Sequence, residues 1–133
     1  MTDQKIQLTK TFLTQLGLPS DDKTVKDWYM LWWHNPRENG NHSMRLTERG
    51  LEDFETKVGL KSYKINFPDT IENFTNQLML WLDRFIDGPY YVNRKHIVVF
   101  KEKMAVQLVL FGGDIQKYGL AKAMSQKNNE QTR

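Results

Sequence analysis

The sequence predicts an α+β fold: one domain of 133 residues with short, mostly antiparallel strands and packed helices in the order α-α-β-α-β-α-β-β-α. Three observations carry that reading. Apolar residues recur at helical spacing in five stretches, and short alternating or β-branched runs lie between them. Gly, Pro or Asn-Gly marks nearly every junction. Residues 1–120 form the domain, and the polar segment 121–133 is expected to be a disordered tail.

Residues 4 to 16 read as an amphipathic helix with Ile6, Leu8, Phe12, Leu13 and Leu16 on one side, closed by Gly17. Ser20, Asp21 or Asp22 caps a second helix from about Lys23 to Trp33, which Pro36 closes by forcing Asn35 extended. Arg37 to His42 is loop, with a tight-turn signal at Asn39-Gly40, and Ser43 to Leu46 is a short strand. Thr47 caps a third helix whose Leu51, Phe54 and Val58 share a face, with Gly59 at its end.

Lys61 to Phe67 alternates, with Tyr63, Ile65 and Phe67 to one side, so it reads as a half-buried strand. After Pro68, Asp69 and Glu72 make a capping box for the longest helix, about 70 to 86. Its inner stripe is Ile71, Phe74, Leu78, Leu82 and Phe85, widened by Leu80 and Trp81. Tyr90 to Val92 and Ile97 to Phe100 form a hairpin around the polar turn Asn93-Arg94-Lys95-His96. Lys103 to Phe111 is a nearly all-apolar helix, which implies burial; Gly112-Gly113 is expected to break it, with a last turn to Tyr118.

Composition bounds the function. Hydrophobic residues make up 39%, charged residues 26% and aromatics 12%, the profile of a soluble globular protein. With no cysteine, disulfides and thiolate zinc sites are excluded, which fits a reducing compartment. No signal peptide or membrane-length apolar run appears, so a soluble, intracellular protein that avoids membranes is expected. The net charge is +3 and the pI about 9.1, which permits nucleic-acid binding without requiring it. The positive charge concentrates in the C-terminal third.

No phosphate-cradling glycine loop, nucleophile elbow or metal-ligand spacing occurs, so the expectation is a non-enzymatic protein without a cofactor. His34 and His42 are eight apart across a loop, not at the spacing that puts two ligands on one helix face. Asp83 and Asp87, at i,i+4, read as a solvated stripe rather than a coupled acid pair. Two surfaces remain. The cations Arg94, Lys95, Lys101 and Lys103, on and beside a two-stranded ribbon, are candidates to contact nucleic-acid phosphates. Trp32 and Trp33 end a helix whose aromatic residues cover more than one face, so the cluster reads either as core with partial exposure or, in the sharper reading, as presenting one of Trp32 and Trp33 as a stacking platform or an anchor for a protein partner. Oligomeric state is left open, since no heptad pattern is present.

Two resemblances add to this. The loop carrying Arg37, Asn39 and Gly40, followed by Leu46-Thr47-Glu48-Arg49-Gly50, resembles the wing-to-helix segment of winged-helix regulators over about 20 residues. A recognition helix is missing, because residues 23 to 33 are too aromatic and too little basic. More of the chain resembles a family of small proteins encoded by tailed bacteriophages, notably those of marine bacteria. The shared segments are Trp32-Trp33-His34-Asn35-Pro36, Met44-Arg45-Leu46-Thr47 with Gly50, Tyr63, Leu80 to Phe85 leading to Pro89-Tyr90-Tyr91, and the strand-then-helix run Ile97 to Asp114. That resemblance implies a viral origin and a role in the host cytoplasm, but no activity and no site; a host or phage protein, docked through Trp32 or Trp33, is the alternative partner to nucleic acid.

Overall fold

A computed structural model describes residues 4–34, 44–66, 76–119 and 121–125, without the side chains of 76–80. Its elements are α1 (Gln4–Gln15), α2 (Asp22–Trp32), α3 (Glu48–Thr56), β1 (Tyr63–Asn66), α4 (Asn76–Phe85), β2 (Tyr90–Val92), β3 (His96–Val99), α5 (Glu102–Tyr118) and a short α6 over 121–125. The mixed α+β class is as expected. The Asn39-Gly40 turn, Phe67, the Asp69/Glu72 capping box, Ile71, Phe74, the side chains of Leu78 and Leu80, and the tail from 126 onward lie outside the described residues.

Local chemistry starts the helices where the sequence signals it. Asp21 caps α2 by accepting from the Thr24 amide at 3.2 Å and the Thr24 hydroxyl at 2.6 Å, and these bonds hold its carboxyl below the usual range. Thr47 caps α3 by accepting from the Gly50 amide at 3.0 Å, while its own hydroxyl donates to the Leu31 carbonyl at 2.6 Å. One side chain thus ends one helix and starts the next. Gly50 belongs to the same joint: a Cβ there would overlap the Trp32 carbonyl, so only glycine lets α3 sit this close to α2.

The end of α2 corrects the expectation of an exposed tryptophan. The helix stops at Trp32, and Trp33 is extended at φ −108° and ψ 137°. Consecutive helical residues point about 100° apart, but leaving the helix frees Trp33 to turn inward as well. Both rings are buried, at 0% and 2% exposure. The Trp32 indole N–H donates to Asp53 Oδ2 at 2.9 Å and that of Trp33 to Thr9 Oγ1 at 2.9 Å, so neither buried donor lacks an acceptor. Around them Phe54 meets Phe12, Trp32 and Trp33 edge-on, with centroids 5.0 to 5.7 Å apart, the arrangement that aromatic quadrupoles favour. This core of α1, α2 and α3 also takes in Leu13, Val25, Met44 and Leu46.

The face of α1 differs from the predicted one. Lys5 and Thr9 are buried with Phe12 and Leu13, while Ile6, Leu8 and Leu16 are only partly covered. The tertiary partner decides this. Thr9 must face Trp33 to accept its N–H, and the Lys5 ammonium lies 5.4 Å from the Tyr29 ring centroid.

Three antiparallel strands form the sheet in the order β1-β3-β2, with Tyr63 opposite Val99 in one pair and Tyr90 opposite Val99 in the other. Ser43 of the strand expected at 43–46 lies outside the described residues, and in the rest of it two isolated bridges form, Trp33 with Leu46 and Arg45 with Tyr90. Its backbone still covers the outer edge of β2, through Leu46 N–H to Tyr90 O at 2.7 Å and Tyr90 N–H to Met44 O at 3.0 Å. The sheet thereby joins two cores. One face carries Tyr90, Val92, Ile97 and Val99 into a second core with Leu82 and Phe85 of α4 and Leu108 and Phe111 of α5. Tyr91 and Phe100, outside that core, pack against the aromatic core.

Three expectations about the C-terminal region change. Gly112-Gly113 does not break α5, which runs unbroken to Tyr118 and buries Met104, Ala105, Leu108, Phe111 and Ile115. Internal glycine costs a helix only about 1 kcal/mol relative to alanine, less than the burial of the flanking Phe111 and Ile115 returns. Nor is α5 buried all round, because Val106, Val109 and Leu110 are 55%, 60% and 57% exposed. Residues 121–125, expected in the disordered tail, are helical. Ala123 is fully buried in the sheet core and Met124 packs against it.

Candidate functional site

The β2–β3 turn is shaped by Asn93. Its carboxamide oxygen accepts from the Lys95 amide at 2.8 Å and the His96 amide at 3.0 Å, while its own N–H donates to the His96 carbonyl at 3.0 Å. With the Asn93, Lys95 and His96 amides so engaged, Arg94 and Lys95 are exposed on the turn.

Beside this tip lies an open cleft of about 360 Å³, walled by Arg94, Asn93 and Tyr91 on the hairpin and by His34, Arg45 and Thr47 opposite, with Glu48 at its edge. Arg45 reaches it because Met44 and Leu46, its strand-like neighbours, both point into the aromatic core and leave it the other side. Burial draws the Arg45 guanidinium below its ordinary value, opposed by Asp83 and Tyr91, and it remains a cation. His34 is held below 6.5 by burial and then by Arg45, with Asp83 opposing. His96 is lowered by burial and then by Lys64 and Lys95. For both imidazoles burial is the main cause, with neighbouring cations acting in the same direction.

Of the four predicted cations, Arg94 and Lys95 share the tip, and Lys101 and Lys103 do not join them. The four residues of β3, His96–Val99, lie between the tip and Lys101 and by themselves span roughly 13 Å at about 3.3 Å each. Beyond them Lys101 binds Asp87 at 2.9 Å, and both lysines line a separate hollow of about 200 Å³ with Asp87, Met104 and Gln107. Asp83 and Asp87 are likewise divided, the first acting on Arg45 and His34, the second bound to Lys101. Trp32 and Trp33, being core, present no ring to a partner. Arg45 and His34 are the site residues that sequence reasoning missed. For Arg45 the signal was present, since Met44-Arg45-Leu46 alternates.

Among the described residues no three His, Asp or Glu side chains gather where a metal ion could be held, and no helix is long and apolar enough to cross a membrane. No family model, curated protein or solved structure matches the chain. What the cleft offers is the half-buried Arg45 guanidinium and the exposed Arg94 side chain beside a projecting ribbon, chemistry suited to binding anions.

Proposed function

We propose that this protein binds nucleic acid without catalysis, through phosphate contacts made by the β2–β3 tip and the cleft beside it. The observation that carries the reading is that the half-buried guanidinium of Arg45, from an element about fifty residues away in sequence, shares a cleft with the exposed Arg94, whose neighbour Lys95 is exposed on the same turn. A guanidinium held by packing loses little freedom on binding a phosphate, and flexible lysines add sequence-independent attraction. The resemblance to small tailed-phage proteins fits a factor that meets nucleic acid in the host cytoplasm, where regulation of transcription is one use. Docking on a protein through Trp32 and Trp33 has no exposed ring to support it.

The test is binding of labelled single- and double-stranded DNA and RNA as a function of salt. Arg94→Ala with Lys95→Ala should weaken all of them alike and reduce the log–log salt slope by roughly 2. Lys101→Ala should leave the slope unchanged. Absence of binding to every nucleic acid at low salt, where the electrostatic attraction is greatest, sinks the proposal.

A further inference from the structure

The helix α5 has two apolar sides. At 100° per residue, the buried Met104, Ala105, Leu108, Phe111 and Ile115 centre on one side, and Glu102, Val106, Val109, Leu110, Gly113 and Lys117 centre on the other. Over half of each of Val106, Val109 and Leu110 is exposed, an arrangement in which the large apolar groups of a soluble surface rarely line up. Among the described residues, nothing beyond the neighbouring helix backbone lies within 4 Å of a Cβ built at Gly112 or Gly113. The packing of this chain therefore gives no reason for glycine at either position, although alanine would favour the helix.

We infer that the outer stripe of α5 pairs with the α5 of a second copy of this chain, antiparallel, about a two-fold axis between Val109 and Leu110. The order of residues along the stripe is self-complementary about that point. Val109 of each copy meets Leu110 of the other. Val106 falls opposite the other copy's Gly113, a large residue against one with no side chain, which lets the backbones approach. At the two ends Glu102 falls opposite Lys117. Lys103 and Asp114, on the same flank of the helix, come within one turn of each other across the axis. Apolar contacts at the centre, small facing large, and opposite charges outside are what an isologous interface requires. A parallel pairing would set Glu102 against Glu102 and Lys117 against Lys117.

Because one helix pair is a small interface, association is weak and is measured by sedimentation equilibrium from about 10 µM to about 1 mM. The wild-type chain should form a dimer that goes no further. Val109→Lys brings two lysines together at the axis and should weaken the dimer by about a hundredfold or more. Glu102→Lys sets like charges at both ends and should weaken it roughly tenfold, and adding Lys117→Glu should restore it to within about threefold. All three positions are exposed, so circular dichroism should show unchanged folding; should Val109→Lys fail that check, Leu110→Lys repeats the test across the axis. A wild-type chain that stays monomeric throughout, a dimer indifferent to both core-of-stripe lysines, or a charge reversal that the second change fails to rescue would each overturn the inference.

Discussion

The two cores of this protein are held in different ways. Between α1, α2 and α3, four large rings meet edge to face, and buried polar side chains anchor them: Asp53 accepts from Trp32 and Thr9 from Trp33. Asp53 is itself flanked by Arg49 at 3.1 Å and Lys57 at 3.8 Å. Between the sheet, α4 and α5 the packing is aliphatic and stacked, with Trp81 lying parallel to Phe85 and Phe111 at 4.6 and 4.4 Å. Hydrogen bonds are directional and dispersion is not, so the first core specifies geometry and the second supplies area. The candidate site lies on the seam, with His34 and Arg45 held by the polar-anchored core and Arg94 carried by the sheet.

The largest effects should come from emptying either core. Phe54→Ala removes the ring that touches Phe12, Trp32 and Trp33 and should cost about 3 to 5 kcal/mol; Leu82→Ala, fully buried in the sheet core, should cost about 2 to 5 kcal/mol. Urea denaturation measures both. A loss under about half a kcal/mol at Leu82 would mean that α4 faces elsewhere. Asp53→Ala separates the two kinds of core, because it leaves the Trp32 N–H buried without its acceptor. It should cost about 1 to 3 kcal/mol, although no ring is lost. A neutral result would show that geometry in that core comes from packing alone.

A smaller effect tests how far the sheet core extends. Deleting residues 121–133 uncovers the surface under Ala123 and Met124 and should lower the melting temperature by about 4 °C, corresponding to roughly 1 kcal/mol in a domain of this size. An unchanged melting temperature would return 121–125 to the status of a passive tail. The smallest effect is on pH. Both His34 and His96 are depressed below 6.5, so protonation favours the unfolded chain. Their contribution is complete above about pH 6.5 and is lost as pH falls through the lowered values of the folded state. Nucleic-acid affinity should move the opposite way and strengthen on acidification, because a bound phosphate favours imidazolium. Thermal melts and binding isotherms between pH 7.5 and 5 give both signs, and His34→Gln and His96→Gln assign them to the two sides of the seam.

Much of the fold could be read from local chemistry. The caps at Asp21 and Thr47, the alternation of Tyr63 and Ile65, the Asn93 turn and the hairpin that it closes each depend on residues within about four positions of one another. Interactions of that range are written in the sequence, so the α+β class and most of the element order followed from it. Other features are settled by partners far along the chain. That Trp32 and Trp33 both turn inward depends on Asp53 and Thr9, 21 and 24 residues away. The unbroken helix through Gly112-Gly113 depends on the sheet against which Phe111 and Ile115 pack. The division of the four predicted cations depends on the length of β3, and the recruitment of Arg45 on an edge bond to Tyr90. Propensity and spacing describe what a segment can do by itself. Which face is buried, where a helix stops and which charges become neighbours are decided by the surface each segment meets, and that surface exists only once the chain has folded.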